Sequence, residues 1–178
     1  TMTVNPLLPV SVSIGASANP VCTGTSVTFT ATPTNGGSTP AYQWKLNGNN
    51  VGTNSTTYSN SALGNGDQVT VVMTSSATCT TVPTATATPI TITVNPSVTP
   101  NVSISASATT ICSGSPVVFT ATATGGGNTP TYQWFRNSTA VGTNSATLNT
   151  SSLSNGDVVT CVLTTSASCY TQQKDTSN

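Results

Sequence analysis

The chain has no histidine and no glutamate, and only six charged residues: Lys45, Arg136, Lys174, Asp67, Asp157 and Asp175. General acid–base catalysis draws on histidine, paired carboxylates or a tuned lysine, and no two of these acids lie close in sequence. A serine with no base beside it is inert as a nucleophile. No enzymatic activity is expected, and no catalytic residue is assigned. Three scattered cations make no patch for nucleic-acid phosphates and no anchor for an anionic bilayer. No apolar run approaches the ~18–20 residues of a membrane-spanning helix. This segment is therefore expected neither to bind nucleic acid nor to insert into a membrane. A hard cation wants several convergent oxygens, often from more than one carboxylate, so no metal and no cofactor is expected either.

What the chain does have is a repeat. Cys22, Phe29, Trp44, Gly66, Asp67 and Cys79 recur 90 positions later as Cys112, Phe119, Trp134, Gly156, Asp157 and Cys169. Residues 11–88 laid over 101–178 match at 42 of 78 positions without a gap. A fixed period of this length is read before any other feature. Units of this size suit one small β-sandwich each, placing repeat 1 at 10–95, a proline-containing linker at 96–100 and repeat 2 at 101–178. The register extends to the front, because Thr1-Met2-Thr3-Val4-Asn5-Pro6 matches Thr91-Ile92-Thr93-Val94-Asn95-Pro96. Residues 1–5 are thus expected to be the last strand (G) of a preceding repeat, and repeat 2 to lack its own. Two arrangements stay open: a continuous array, or subunits joined by a donated strand.

Ordinary soluble domains are about 25% charged and this chain is 3% charged, so threonine, serine, asparagine and glycine must keep its surface wet. Threonine is also a good strand former, and the regularly spaced valine, phenylalanine, tryptophan and leucine argue against disorder. Period-2 alternation predicts strand A at Val10–Ile14, B at Val27–Ala31 and C at Tyr42–Trp44. It further predicts E at Ser55–Ser59, F at Gln68–Ser75 and G at Ala87–Val94. No stretch carries a helical period. The fold class expected is all-β, with tandem sandwiches in a linear array and a core around Phe29, Trp44, Val71, Phe119 and Trp134.

The spacing Gly24-x-x-Val27-x-Phe29-x-Ala31, then Trp44, then Leu63-x-x-x-Asp67-x-x-x-Val71 resembles strands B, C and F of the immunoglobulin fold. That family's inter-sheet cystine would fall at Ala31/Val71 and Ala121/Cys161, so the bridge is absent here. More narrowly, Cys22-x-Gly24-x-x-Val27-x-Phe29, the Gly36-Gly37 loop, Tyr42-Gln43-Trp44 and Asn65-Gly66-Asp67 resemble Ig-like/PKD-like repeats. Those repeats build giant surface proteins of Bacteroidota exported by the type IX system, gliding-motility adhesins among them. The resemblance implies an extracellular, cell-surface stalk or filament serving adhesion or surface motility. Its expected partners are neighbouring repeats or subunits of the same protein. A glycan- or cell-binding module, using loops 33–40 and 123–130, and a spacer in a secreted multidomain enzyme are the alternatives.

In an exported array, four recurring cysteines imply disulfides. Pairing within units would join Cys22 to Cys79 and Cys112 to Cys169. Topology favours a different bond, Cys22–Cys169 across domains. Cys22 precedes strand B and Cys79 follows strand F, and parallel strands of seven or eight residues hold those ends ~25 Å apart. A disulfide needs ~4.4–6.8 Å between Cα atoms. Cys161 falls on an inward position and reads as a free buried thiol. Asp67 and Asp157 read as turn carboxylates accepting local backbone N–H groups, and Tyr42, Trp44, Tyr132 and Trp134 as core rather than a sugar platform.

Overall fold

Alternating threonine and valine give strands throughout and no helix, so no helix is long and apolar enough to cross a membrane. The computed structural model describes residues 1–178, which fall into two units, Thr1–Pro96 and Ser97–Asn178. Unit 1 runs through β1 (Ser11–Ala16), β2 (Val21–Cys22), β3 (Val27–Thr34), β4 (Ala41–Leu46) and β5 (Asn49–Val51). It continues with β6 (Thr57–Asn60), β7 (Gln68–Thr74), β8 (Thr84–Thr86), β9 (Ile90–Thr91) and β10 (Val94–Asn95). One sheet has the order β1-β3-β6; the other has β5-β4-β7-β8, with β9 also on β7. Their inward faces close the sandwich. Phe29, Trp44, Val27, Val69, Val71 and Met73 are all 0% exposed. Full burial of an aliphatic or phenylalanine side chain is worth about 1.5–3 kcal/mol, and alternation along β3, β4 and β7 supplies all six residues. This is an immunoglobulin-like sandwich.

Unit 2 repeats the plan with β11 (Asn101–Ala106), β12 (Val117–Thr124), β13 (Thr131–Arg136) and β14 (Thr139–Val141). It ends with β15 (Thr147–Thr150), β16 (Val159–Thr164) and β17 (Lys174–Thr176). The sheets are β11-β12-β15 and β14-β13-β16-β17. Register is preserved pair for pair. Trp44 faces Val71 where Trp134 faces Cys161, and Phe29 faces Tyr58 where Phe119 faces Leu148. The equivalents of β9 and β10 would fall past Asn178, the last residue of the sequence, and Ile111–Cys112, the equivalent of β2, are in no strand.

Three local expectations change. Strand G, expected unbroken over Ala87–Val94, is divided. The Ala87 N–H still reaches the Val71 carbonyl at 3.0 Å, but Pro89 has no N–H to donate. β9 then resumes pairing at Val69↔Ile90, and β10 leaves that sheet to lie parallel to β2. Strand E begins at Thr57 rather than Ser55, because the Ser55 hydroxyl accepts from the Thr57 N–H at 3.2 Å. The Ser55 carbonyl meanwhile accepts from the Trp44 indole N–H at 2.9 Å. Within the segment read as linker, Val98–Pro100 belong to the body of unit 2: Val98 bridges Tyr170 and Pro100 is buried. Residues 1–5 are exposed and outside any strand; the first bridge of unit 1 is Leu8↔Thr80.

Candidate functional site

The Asn47–Asp67 pair shows how the few polar side chains are spent. Asn47 (φ 50°) and Gly48 (φ 82°) form the tight turn between β4 and β5, the positive-φ hairpin geometry that Asn-Gly favours. Asn47 Nδ2 donates to Asp67 Oδ1 at 2.8 Å, and its Oδ1 accepts from the Gln68 N–H at 2.9 Å. Asp67 Oδ2 accepts from the Gly64 N–H at 2.8 Å. In unit 2, Asn137 Nδ2 and the Ser154 N–H serve Asp157 at 2.6 and 2.9 Å. The Ser154 N–H, then Asn137, then the nearby Arg136 charge, against slight desolvation, hold the Asp157 carboxyl below its ordinary 3.8. Both acids are turn carboxylates, and no cluster of three potential metal ligands exists. The β4–β5 hairpin itself had not been expected, although Asn47-Gly48 was its signal.

The other candidates are also structural. Tyr42 is buried, and its N–H donates to Asn54 Oδ1 at 2.7 Å; Trp44 and Trp134 are 0% exposed, so no aromatic platform faces solvent there. Phe119 is only half-buried, unlike Phe29. The glycine-rich loops are tied to the turn after strand F. The Ser76 N–H donates to the Gly36 carbonyl at 2.9 Å and the Thr39 N–H to Ser76 Oγ at 2.9 Å. Gly37 (φ 78°) lies so close to Ser76 that a Cβ would collide with it. Unit 2 makes the same bonds through Ser166, Gly126 and Thr129.

Cys161 is fully buried, and burial pushes its thiol up to about 11, making it a poor nucleophile at neutral pH. Cys79 (half-buried) and Cys112 (exposed) are also free thiols, whereas Cys22 and Cys169 are disulfide-bonded cysteines. Pairing of Cys22 with Cys79 and of Cys112 with Cys169 is therefore not the arrangement present. The reason within unit 1 is distance. The Leu8 N–H donates to the Cys79 carbonyl at 2.8 Å, and the chain then runs through β1, Ser11–Ala16, before reaching Cys22. Six extended residues span ~20 Å, so Cys79 and Cys22 lie toward opposite ends of the sandwich.

The end that carries Cys22 differs between the units. In unit 1, the segment from Thr91 to Asn95 closes it. Ile92 is 0% exposed and joins the core cluster of Phe29, Leu63 and Val69. The Ile92 N–H donates to the Asp67 carbonyl and the Gly66 N–H to the Ile92 carbonyl, both at 2.8 Å. The Val21 and Thr23 N–H groups donate to the Thr93 and Asn95 carbonyls at 3.0 and 3.1 Å, and the Val94 N–H to Asn65 Oδ1 at 3.0 Å. Unit 2 has a groove of about 790 Å³ there, its floor formed by Phe119, Leu153 and Val159 and its rims by Ile111–Ser113 and Asn155–Asp157. Subtracting 90 from these numbers gives Phe29, Leu63, Val69 and the residues that bond the closing segment of unit 1. The three floor residues are half-buried, where their counterparts are at most 6% exposed.

No protein-family model matches the chain, and no curated protein does. Among solved structures it is similar to the three N-terminal domains of the highly immunogenic outer capsid protein (Hoc) of bacteriophage RB49. Identity there is 15% over 94% of this chain and 57% of that one, with a TM-score of 0.43. It is likewise similar to the mouse nectin-like molecule 4 ectodomain, at 16% identity over 97% of this chain and 62% of that one, TM-score 0.35. Against the four N-terminal Ig domains of Dscam1, identity is 18% over 93% of this chain and 45% of that one, TM-score 0.35. The chain thus spans well under two thirds of the phage structure. The class its own topology defines is tandem immunoglobulin-like β-sandwiches with a disulfide.

Proposed function

We propose that the chain is a structural repeat segment of a large extracellular bacterial surface protein, forming part of a stalk or filament for adhesion or surface motility. The observation that carries this reading is the near-identical internal bonding of the two units. The side chains of Asp67, Asp157, Trp44 and Trp134 are used to hold the framework. A disulfide fits an oxidising, extracytoplasmic setting. Absence of enzymatic activity, with neighbouring repeats or subunits as partners, belongs to the same proposal. The bonds that tie loops 33–40 and 123–130 to the turns after strand F support it over a glycan-binding module.

The same proposal includes a disulfide between Cys22 and Cys169, the two cysteines that are disulfide-bonded. Cys22 is paired with Asn95 in β2·β10, and the Cys169 carbonyl accepts from the Val98 N–H at 3.0 Å. Cross-linking successive repeats in this way would make the array resist extension. The test is antibody labelling of producing cells with electron microscopy, beside non-reducing peptide mapping. Surface-borne thin filaments and a Cys22–Cys169 peptide are expected; label confined to the cytoplasm would overturn the assignment.

A further inference from the structure

One outward sheet face of unit 2 carries apolar residues where unit 1 carries polar ones. We propose that this β14-β13-β16 face binds an uncharged carbohydrate, one ring of which stacks on Phe135. The site lies on a sheet face rather than on the loops, and it holds whether or not the chain belongs to a stalk.

Trp134 is 0% exposed in the core, so its neighbours Gln133 and Phe135 point out of β13. Phe135 is half-buried and is not among the side chains packed against the core of unit 2. Ala140 lies opposite it on β14 and Thr160 opposite it on β16. Val158 and Val162, two residues to either side of Thr160, share its face. In unit 1 the residues at positions 135, 140 and 158 are Lys45, Asn50 and Gln68. Three polar side chains are thus replaced by apolar ones at neighbouring points of one face, and an apolar cluster open to water is what a ligand covers. Gln68 stays exposed in unit 1 with β9 paired beside it, so this face is open because of the direction in which its side chains point.

The size and chemistry of the patch select the ligand. Two strand spacings by two residues make it about 10 by 7 Å, the footprint of one or two sugar rings. A stable protein complex buries about 800 Å² on each partner, so a second copy of the chain finds too little here. The patch itself is uncharged. Arg136 points to the opposite face, where its Nη1 donates to the Ser152 carbonyl and hydroxyl at 2.8 and 2.9 Å. Lys174 lies opposite Thr164, beyond Val162. A neutral pyranose offers an apolar C–H face to Phe135 and a rim of hydroxyl groups to the polar residues around it, the mixture of apolar lining and few polar groups that small ligands require. Gln133 Nε2 donates to the Trp134 and Val141 carbonyls at 2.9 and 3.2 Å, which fixes the amide and leaves Oε1 to accept from a sugar hydroxyl. The half-buried Thr160 supplies a second hydrogen-bonding group.

The test is an NMR titration of the isotopically labelled full chain with neutral hexasaccharides of glucose, mannose, galactose and xylose, with hexagalacturonate as the charged control. At least one neutral hexasaccharide should shift the amides of Gln133, Phe135, Thr160 and Val162 at millimolar concentration, and leave those of Gln43, Lys45, Thr70 and Val72 in place. Phe135→Lys should weaken binding about tenfold or more, the loss of one covered aromatic contact, while the Trp134 indole N–H keeps its resonance. Val158→Gln, a milder second variant, should weaken it less. Lys45→Phe combined with Asn50→Ala and Gln68→Val should confer the response on unit 1. A face silent toward every neutral hexasaccharide, an equal response to hexagalacturonate, or binding untouched by both Phe135→Lys and Val158→Gln overturns the proposal. So do shifts of these amides that grow with protein concentration alone, which would assign the face to a second copy.

Discussion

Units 1 and 2 share a strand plan, a register and most of a core, yet Phe29 is fully buried while Phe119 is half-buried. Val69 and Leu63 differ from Val159 and Leu153 in the same sense. In unit 1 the segment from Ile90 to Asn95 pairs first with β7 and then, in parallel, with β2; the equivalent positions of unit 2 lie past Asn178, the last residue of the sequence. The comparison shows that this segment is a floor rather than an extra edge strand. It bonds Val21, Thr23, Asn65, Gly66 and Asp67 at one end of the sandwich. The units also differ in smaller ways. Tyr58 stacks on Phe29 and Trp44 at 6.1 and 5.9 Å between ring centroids, whereas Leu148 fills that place in unit 2. Gly48 occupies a positive-φ position that Ser138 (φ 68°) must adopt in unit 2.

These differences can be broken or exaggerated one at a time. The largest effect is expected from Trp134→Ala and Trp44→Ala, each about 3–5 kcal/mol out of the 5–15 kcal/mol typical of a domain. Each tryptophan is 0% exposed in its own core, so Trp134→Ala should lower amide protection in unit 2 and spare unit 1, and Trp44→Ala should do the reverse. Loss of protection in both units from either substitution would show that their cores are not independent. Ile92→Ala should make unit 1 resemble unit 2, at a cost of about 2–5 kcal/mol. Faster exchange of the Val21 and Gly66 amides would report the loosened floor.

Ser138→Gly should stabilise unit 2 by about 1–2 kcal/mol, the penalty of a left-handed conformation at a residue with a Cβ, read as a higher denaturant midpoint. Tyr58→Leu should cost unit 1 about 0.5–1.5 kcal/mol beyond its change in buried area, the worth of the lost ring contacts. The smallest effect concerns the Asp157 carboxyl, which lies at the solvent surface. Its folded pKa is depressed, so its contribution is present above the ordinary value and is lost as pH falls through the lower folded one. An NMR titration of its carboxyl carbon should find it below 3.8, and Asn137→Ala should move it back up.

Much of the fold was legible in the residues. The inward positions Val27, Phe29, Trp44, Val69, Val71 and Met73 follow from period-2 alternation alone, since a strand sends successive side chains to opposite faces. Cys161 could be read as buried because its counterpart is Val71. The β4–β5 hairpin was equally legible, through Asn47-Gly48, and was missed. The division of strand G was only half legible: Pro89 marks the break but says nothing of where the chain goes next.

The sequence by itself determined the 90-residue period, the strand faces and the matching of Thr1–Pro6 to Thr91–Pro96, because each is a comparison of residues with near neighbours or with their own copies. Only the tertiary structure decided that Val94–Asn95 lies beside Val21–Cys22, more than 70 positions away. It alone decided that Asn47 clasps Asp67 and that Asn137 clasps Asp157. These features arise from hydrogen bonds and burial between segments distant in the chain, and no local pattern of polar and apolar residues encodes which distant partner a strand end will meet.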